Sequence, residues 1–166
     1  MSQTNVQARG GCAGARMMDL SDTATKGEVL EGTRPSQLRQ WPVQLHLVGP
    51  MAPYFQNADV LLVADCVAYS IGDFHKDHLA GNSLAIACPK LDSGREIYQQ
   101  KLAALVDEAK INTLTVMSME VPCCAWLLRL AKSAVEQATR KIPVKSKVVS
   151  VRGEILSEEI IHPTSI

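Results

Sequence analysis

The sequence predicts an α/β fold, an open, mostly parallel five-stranded Rossmann-like sheet with helices on both faces. Three observations carry this. Short apolar and β-branched runs alternate with segments of helical periodicity over about 110 residues, the pattern of a parallel sheet with helical crossovers. Thr113 to Val121 is apolar or β-branched almost throughout, which suits a strand buried on both faces of such a sheet. The chain has 166 residues, 46% hydrophobic, enough for one well-cored domain.

Residues 1–35 are polar and hold five glycines (Gly10, Gly11, Gly14, Gly27, Gly32) without sustained periodicity. They read as an arm. Residues 36–156 form the α/β domain, and residues 157–166 a loosely held polar tail. Val43, Leu45 and Leu47 alternate in a first strand, Val43 to Val48, closed by Gly49-Pro50. Asp59 to Ala64 is the second strand and runs into Asp65-Cys66. A short helix covers Asp73 to Ala80. Ser83 to Ala87 is the third strand, ending at Cys88-Pro89-Lys90. Ser93 and Glu96 have capping-box spacing, and Tyr98, Leu102, Leu105, Val106 and Ala109 draw the buried stripe of a long helix. The fourth strand, Thr113 to Val121, stops at Pro122. From Cys124, Leu127, Leu130, Ala131, Ala134 and Ala138 recur at helical spacing to about Thr139. Val148 to Val151 is the fifth strand.

Composition excludes several classes of function. The formal net charge is zero and only 4% of residues are aromatic, so no basic stripe or stacking platform for nucleic acid is expected. No apolar run approaches a membrane span and no signal-peptide core is present, so a cytoplasmic protein is expected. There is no GxGxxG after a strand, no P-loop and no GxSxG, which leaves nucleotide-dependent and serine-hydrolase chemistry without support.

The cysteines form the informative constellation. Cys66, Cys88 and Cys123 each follow the end of a predicted strand, and in a parallel sheet those ends share the edge where ligand sites form. A single such cysteine is more often structural; three in equivalent places are harder to dismiss. Cys12 lies among Gly10, Gly11 and Gly14, whose backbone N–H groups can turn towards one point. The four thiolates match a [4Fe–4S] cluster or a structural zinc. Zinc sites usually draw ligands in close pairs, whereas these are singletons, so a cluster is favoured. Cys123 and the adjacent Cys124 point in different directions at a helix start, one to bind and the other to pack, with Cys123 the favoured ligand. An anionic cluster needs donors and positive charge, for which Gly11, Gly14, Arg16 and Lys90 are candidates. Asp65, Asp73, His75 and Lys90 are the candidates for acid, base or cation should the site catalyse, and Asp92 and Glu120 also lie near strand tips. Helix capping and loop hydrogen bonds account for such carboxylates equally well. His75 and His78 read as an exposed polar surface.

The segments GCAGARMMDLS, SQLRQWPVQLHLV, ADCVAYSIGDFHKDHLAG, ACPKLD, MEVPCC and RGEI together resemble a family: the cysteine-bearing C-terminal region of uncharacterised ferredoxin-type [4Fe–4S] proteins of anaerobic bacteria and archaea. The resemblance covers roughly Gly11 to Ile155. It implies that Cys12, Cys66, Cys88 and the Cys123-Cys124 pair match the family cysteines, and Asp73, His75, Lys90 and Asp92 its polar signature. Two departures stand out. Family members usually begin with a ferredoxin domain carrying CxxCxxC runs, which this chain lacks, so a ferredoxin-like partner would be a separate polypeptide. Ala13 stands where the family tends to have proline. The expected function is [4Fe–4S] cluster binding for electron transfer or redox chemistry. The alternatives are an enzyme using an open-coordination cluster as Lewis acid, or a structural zinc module. Homo-oligomerisation is left open.

Overall fold

A computed structural model describes residues 17–19 and 32–162. A five-stranded open sheet organises them: β3 (Asp59–Ala64), β4 (Ser83–Ala87), β5 (Thr113–Met119), β6 (Val144–Val149) and β7 (Ile155–Ile161), in the spatial order β4-β3-β5-β6-β7. The first four are mutually parallel and β7 is antiparallel to β6. A two-stranded antiparallel pair, β1 (Met18–Asp19) and β2 (Gln40–Trp41), stands apart. The buried Gln40 side chain ties β2 to the start of β4 through the N–H and C=O of Leu84, at 2.9 and 2.8 Å.

Helices α2 (Arg95–Asp107) and α3 (Ala125–Gln137) pack side by side on one face, joined by Gln99 Nε2 to Ser133 Oγ at 2.8 Å. Their apolar stripes, among them Tyr98, Leu102, Leu105, Leu127 and Ala131, are essentially inaccessible; burial of this kind contributes about 1.5–3 kcal/mol per large side chain. The short helix α1 (Val67–Ser70) and a π-type turn, His75–Leu79, take the other side. They cover that face incompletely. Thr113 and Thr115 stay half-exposed, and a groove of about 390 Å³ runs over Leu61, Thr115 and Met117 beside His78 and Lys147.

The open Rossmann-like sheet matches the sequence expectation, but five local assignments need correction. Val43 to Val48 is not a strand: Gln44 makes a single bridge to Ile86 and the chain turns at once, with the N–H groups of Leu47 and Val48 both on Gln44 O. Lys101 Nζ then donates to the carbonyls of Leu45, His46 and Val48, at 2.9, 2.6 and 2.9 Å, replacing the ladder partners a strand would have supplied. The helix expected over Asp73 to Ala80 is a single π-type turn, His75–Leu79, and a separate short helix not expected from the sequence, α1, precedes it at Val67–Ser70. Ser93 makes no side-chain cap to α2; Gly94, at φ 71°, occupies that position instead. The strand placed at Val148 to Val151 begins earlier, at Val144, because Lys145 and Lys147 belong to its polar face. The expected tail from residue 157 lies largely in β7, where Glu158 pairs with Lys145 and Lys147 at 2.5 and 3.2 Å. The arm's Gly11, Cys12, Gly14 and Arg16 lie outside the described residues. Among the described residues no helix is long and apolar enough to cross a membrane.

Candidate functional site

From β3 the chain steps to β4 on one side and then crosses to β5 on the other, so the switch point of the sheet, where such folds place their ligand crevice, lies at the carboxyl ends of β3 and β5. The loops leaving β3, β4 and β5 carry Cys66, Cys88 and Cys123-Cys124. Cys66 caps α1 in helical geometry (φ −80°, ψ −18°) and is exposed. Cys88 is half-buried at the first position after β4. Its N–H donates to Asp92 Oδ2 at 2.8 Å, its C=O accepts from the N–H groups of Leu91 and Asp92, and the same Oδ2 accepts the Tyr98 hydroxyl at 2.6 Å. One carboxylate therefore buckles the Cys88 turn onto α2. Burial, followed by this bond to Asp92, raises the Tyr98 hydroxyl's pKa and keeps it a donor.

Pro122 opens a 3₁₀ turn, Pro122–Cys124, leading into α3. It exposes Cys123 and sends Cys124 into the apolar core at 6% accessibility. Burial pushes the Cys124 thiol up, and nearby Cys123 and Cys66 push it further. Those three sulfurs thus share one electrostatic neighbourhood, whereas Cys88 lies beside Tyr98 and Asp92. Arg95 joins the two neighbourhoods: its guanidinium stacks 4.5 Å over Trp126 on α3 and donates to Pro89 O at 3.3 Å.

Asp65, immediately before Cys66, has an Oδ1 that is buried without a partner; burial and then Asp92 hold its carboxyl above the usual range, against a hydrogen bond from Gln44. Lys90 is exposed and makes no ion pair among the described residues. Asp73 and His75 are used differently from the sequence expectation. Asp73 binds Arg34 at 2.7 Å, which lowers its carboxyl, and His75 Nδ1 accepts the Gln37 N–H at 3.1 Å, so both anchor the 34–37 segment. Burial and Lys147 depress His78, in the groove on the sheet face away from α2 and α3.

Cys66, Cys88 and Cys123 stand at one edge on adjoining loops, yet among the described residues no three His, Cys, Asp or Glu side chains are arranged to hold a metal ion.

A family profile described as a Rossmann-like domain matches residues 52–165. The chain belongs to that family. This Rossmann-like domain is also 30% identical over 120 residues to a protein of Archaeoglobus fulgidus, described as an uncharacterized protein, the match covering 72% of this chain and 83% of the relative. No solved structure matches. Two parts of the site escaped sequence reasoning. The Cys88–Asp92–Tyr98 buckle left only a weak signal, an acid four residues after the cysteine and a tyrosine one helical turn beyond Ser93-Gly94. The Arg95–Trp126 stack joins residues far apart in the chain and left none.

Proposed function

We propose that this protein binds an iron–sulfur cluster at the carboxyl edge of its sheet and acts in electron transfer or redox chemistry. The observation that carries the reading is the gathering of Cys66, Cys88 and Cys123 on the loops after three neighbouring parallel strands. The core position of Cys124 favours Cys123 as the third ligand. Cys12, which lies among glycines in the sequence and outside the described residues, is the fourth ligand of this proposal. A cluster of this kind supplies reversible one-electron chemistry when bound. The chain's own residues would support it: Asp92 holds the Cys88 turn, Arg95 ties that turn to the start of α3, and Lys90 adds positive charge.

One observation favours a second reading, an enzyme in which one iron is left open to a small substrate. Asp65 Oδ1 is buried and unpartnered at the crevice, where a proton carrier would be needed. The test of cluster binding is metal and sulfide analysis of anaerobically purified protein with electron paramagnetic resonance of the reduced form. About four iron and four sulfide per chain are expected. Stoichiometric zinc without iron would replace this reading with a structural zinc module.

A further inference from the structure

The two edges of the sheet are finished differently. Along β4 the outward-facing backbone groups are taken up by the chain itself. Gln40 Nε2 donates to the C=O of Leu84 and Oε1 accepts its N–H, at 2.8 and 2.9 Å; the N–H of Ile86 donates to Val43 O and its C=O accepts the Leu45 N–H, both at 2.9 Å. That edge is closed. β7 pairs with β6 on one side, and on the other its backbone makes no hydrogen bond among the described residues. Alternate residues of such a strand point N–H and C=O outward, a template for another strand.

β7 also lacks two common guards of an open edge, since it holds neither proline nor lysine. Leu156 and Ile160 are 53% and 60% exposed. Its charges are Glu158 and Glu159, and Glu158 is held by Lys145 and Lys147 of the neighbouring strand at 2.5 and 3.2 Å.

The order of residues decides what fits this edge. β7 reads Ile-Leu-Ser-Glu-Glu-Ile-Ile, two apolar residues, three polar and two apolar, a pattern symmetric about Glu158. An antiparallel pair related by a two-fold axis is centred on a residue, because opposed side chains share a face of the sheet. Centred on Glu158, Ser157 of one copy meets Glu159 of the other, and Ile160 and Ile161 lie over the other copy's Ile155 and Leu156. The two Glu158 carboxylates meet on the axis, each already paired with two lysines of its own chain. Centring on Ser157 would set Leu156 against Glu158, and centring on Glu159 would set Ile160 against it. The irregularity in the β6–β7 register falls at Val148–Val149, opposite the first residues of β7, and leaves Ser157–Ile161 regular.

We infer that β7 is a dimerisation strand: a second copy of this chain pairs with it antiparallel about Glu158, joining two sheets into one. The dimer is closed, because the outer edges of the joined sheet are the two β4 strands, each sealed by its own Gln40, Val43 and Leu45. β6 separates β7 from β5, so the inference stands apart from the cysteine site.

The test is size-exclusion chromatography with multi-angle light scattering, and sedimentation velocity for the dissociation constant, on the anaerobically purified protein. A particle of two chain masses is expected. Ile160→Lys, which puts a charge into the apolar part of the pairing, should weaken dimerisation at least about tenfold. Ser157→Glu sets like charges opposite each other at two points and should do the same, while the double variant Ser157→Glu, Glu159→Lys makes both points opposite in charge and should restore the dimer. All these side chains are exposed, so the circular dichroism of each variant should remain that of the wild type. A wild-type monomer at about 100 μM would overturn the inference. So would a dimer that Ile160→Lys and Ser157→Glu leave intact, which would put the contact elsewhere, or a double variant that stays monomeric, which would exclude pairing about Glu158.

Discussion

Replacing Asp92 with alanine should loosen the Cys88 turn and destabilise the fold by an amount the structure bounds. Asp92 Oδ2 accepts two hydrogen bonds, from Cys88 N at 2.8 Å and Tyr98 Oη at 2.6 Å. Tyr98 is 1% exposed, so truncation strands its hydroxyl, at about 1–3 kcal/mol, and removes a charge-assisted bond to the Cys88 amide worth about 1.5–3 kcal/mol. Relief of the repulsion between Asp92 and Asp65 offsets part of this. A net loss of about 2–3 kcal/mol follows, or roughly 5–10 °C in melting temperature for a domain of this size. Tyr98→Phe removes a donor without stranding one and should cost about 1 kcal/mol. Urea denaturation of both single variants and the double variant Asp92→Ala, Tyr98→Phe gives the coupling: with the hydroxyl gone, Asp92→Ala should cost at least about 1 kcal/mol less. A loss below about 0.5 kcal/mol for Asp92→Ala, or strict additivity, would refute the buckle.

The remaining expectations concern other parts of the molecule. Asp65 has a raised folded pKa, so its contribution to stability is most favourable at low pH and declines as pH rises from the ordinary carboxylate range through that raised value; Asp65→Asn should flatten this slope and be no less stable than wild type at pH 7, as denaturation across pH would show. Asp107 shows the opposite sign: its carboxylate accepts the N–H groups of Thr139 and Arg140, both at 2.8 Å, and sits below its usual range despite some burial. Its stabilisation is present above the unfolded carboxylate pKa and lost as pH falls through the lower folded value, and Asp107→Ala should cost about 1 kcal/mol at pH 7 and progressively less as pH falls below the ordinary carboxylate range. Under reducing, metal-free conditions, maleimide should label Cys66 and Cys123 rapidly and Cys124 only on unfolding; equal rates measured by mass spectrometry would contradict the burial of Cys124.

Much of the sheet was legible because its central strands are apolar on both sides of each register. The assigned bounds of β3 and β4 coincide with Asp59–Ala64 and Ser83–Ala87. The edge misled where polar residues take part in strands. Lys145, Lys147, Glu158 and Glu159 read as linker and tail, yet the first two pair across strands with Glu158, a long-range match that no local window contains. Val43 to Val48 misled in the reverse way: its alternation is real, with Leu45 buried and Leu47 exposed, but Lys101 takes the carbonyls that would have made it a strand. At the site, the cysteine placement was readable because strand ends in a parallel sheet share an edge. The roles of Asp73 and His75 were not, since their partners Arg34 and Gln37 arrive from 39 and 38 residues away.

The central claim is tested most directly by the iron content of single serine variants, reconstituted and desalted anaerobically. Cys66→Ser, Cys88→Ser, Cys123→Ser and Cys12→Ser should each lose most of the cluster iron, while Cys124→Ser keeps it at some cost in stability. Full iron retention by Cys66→Ser, Cys88→Ser and Cys123→Ser, or iron loss by Cys124→Ser alone, would contradict an iron–sulfur site at this edge.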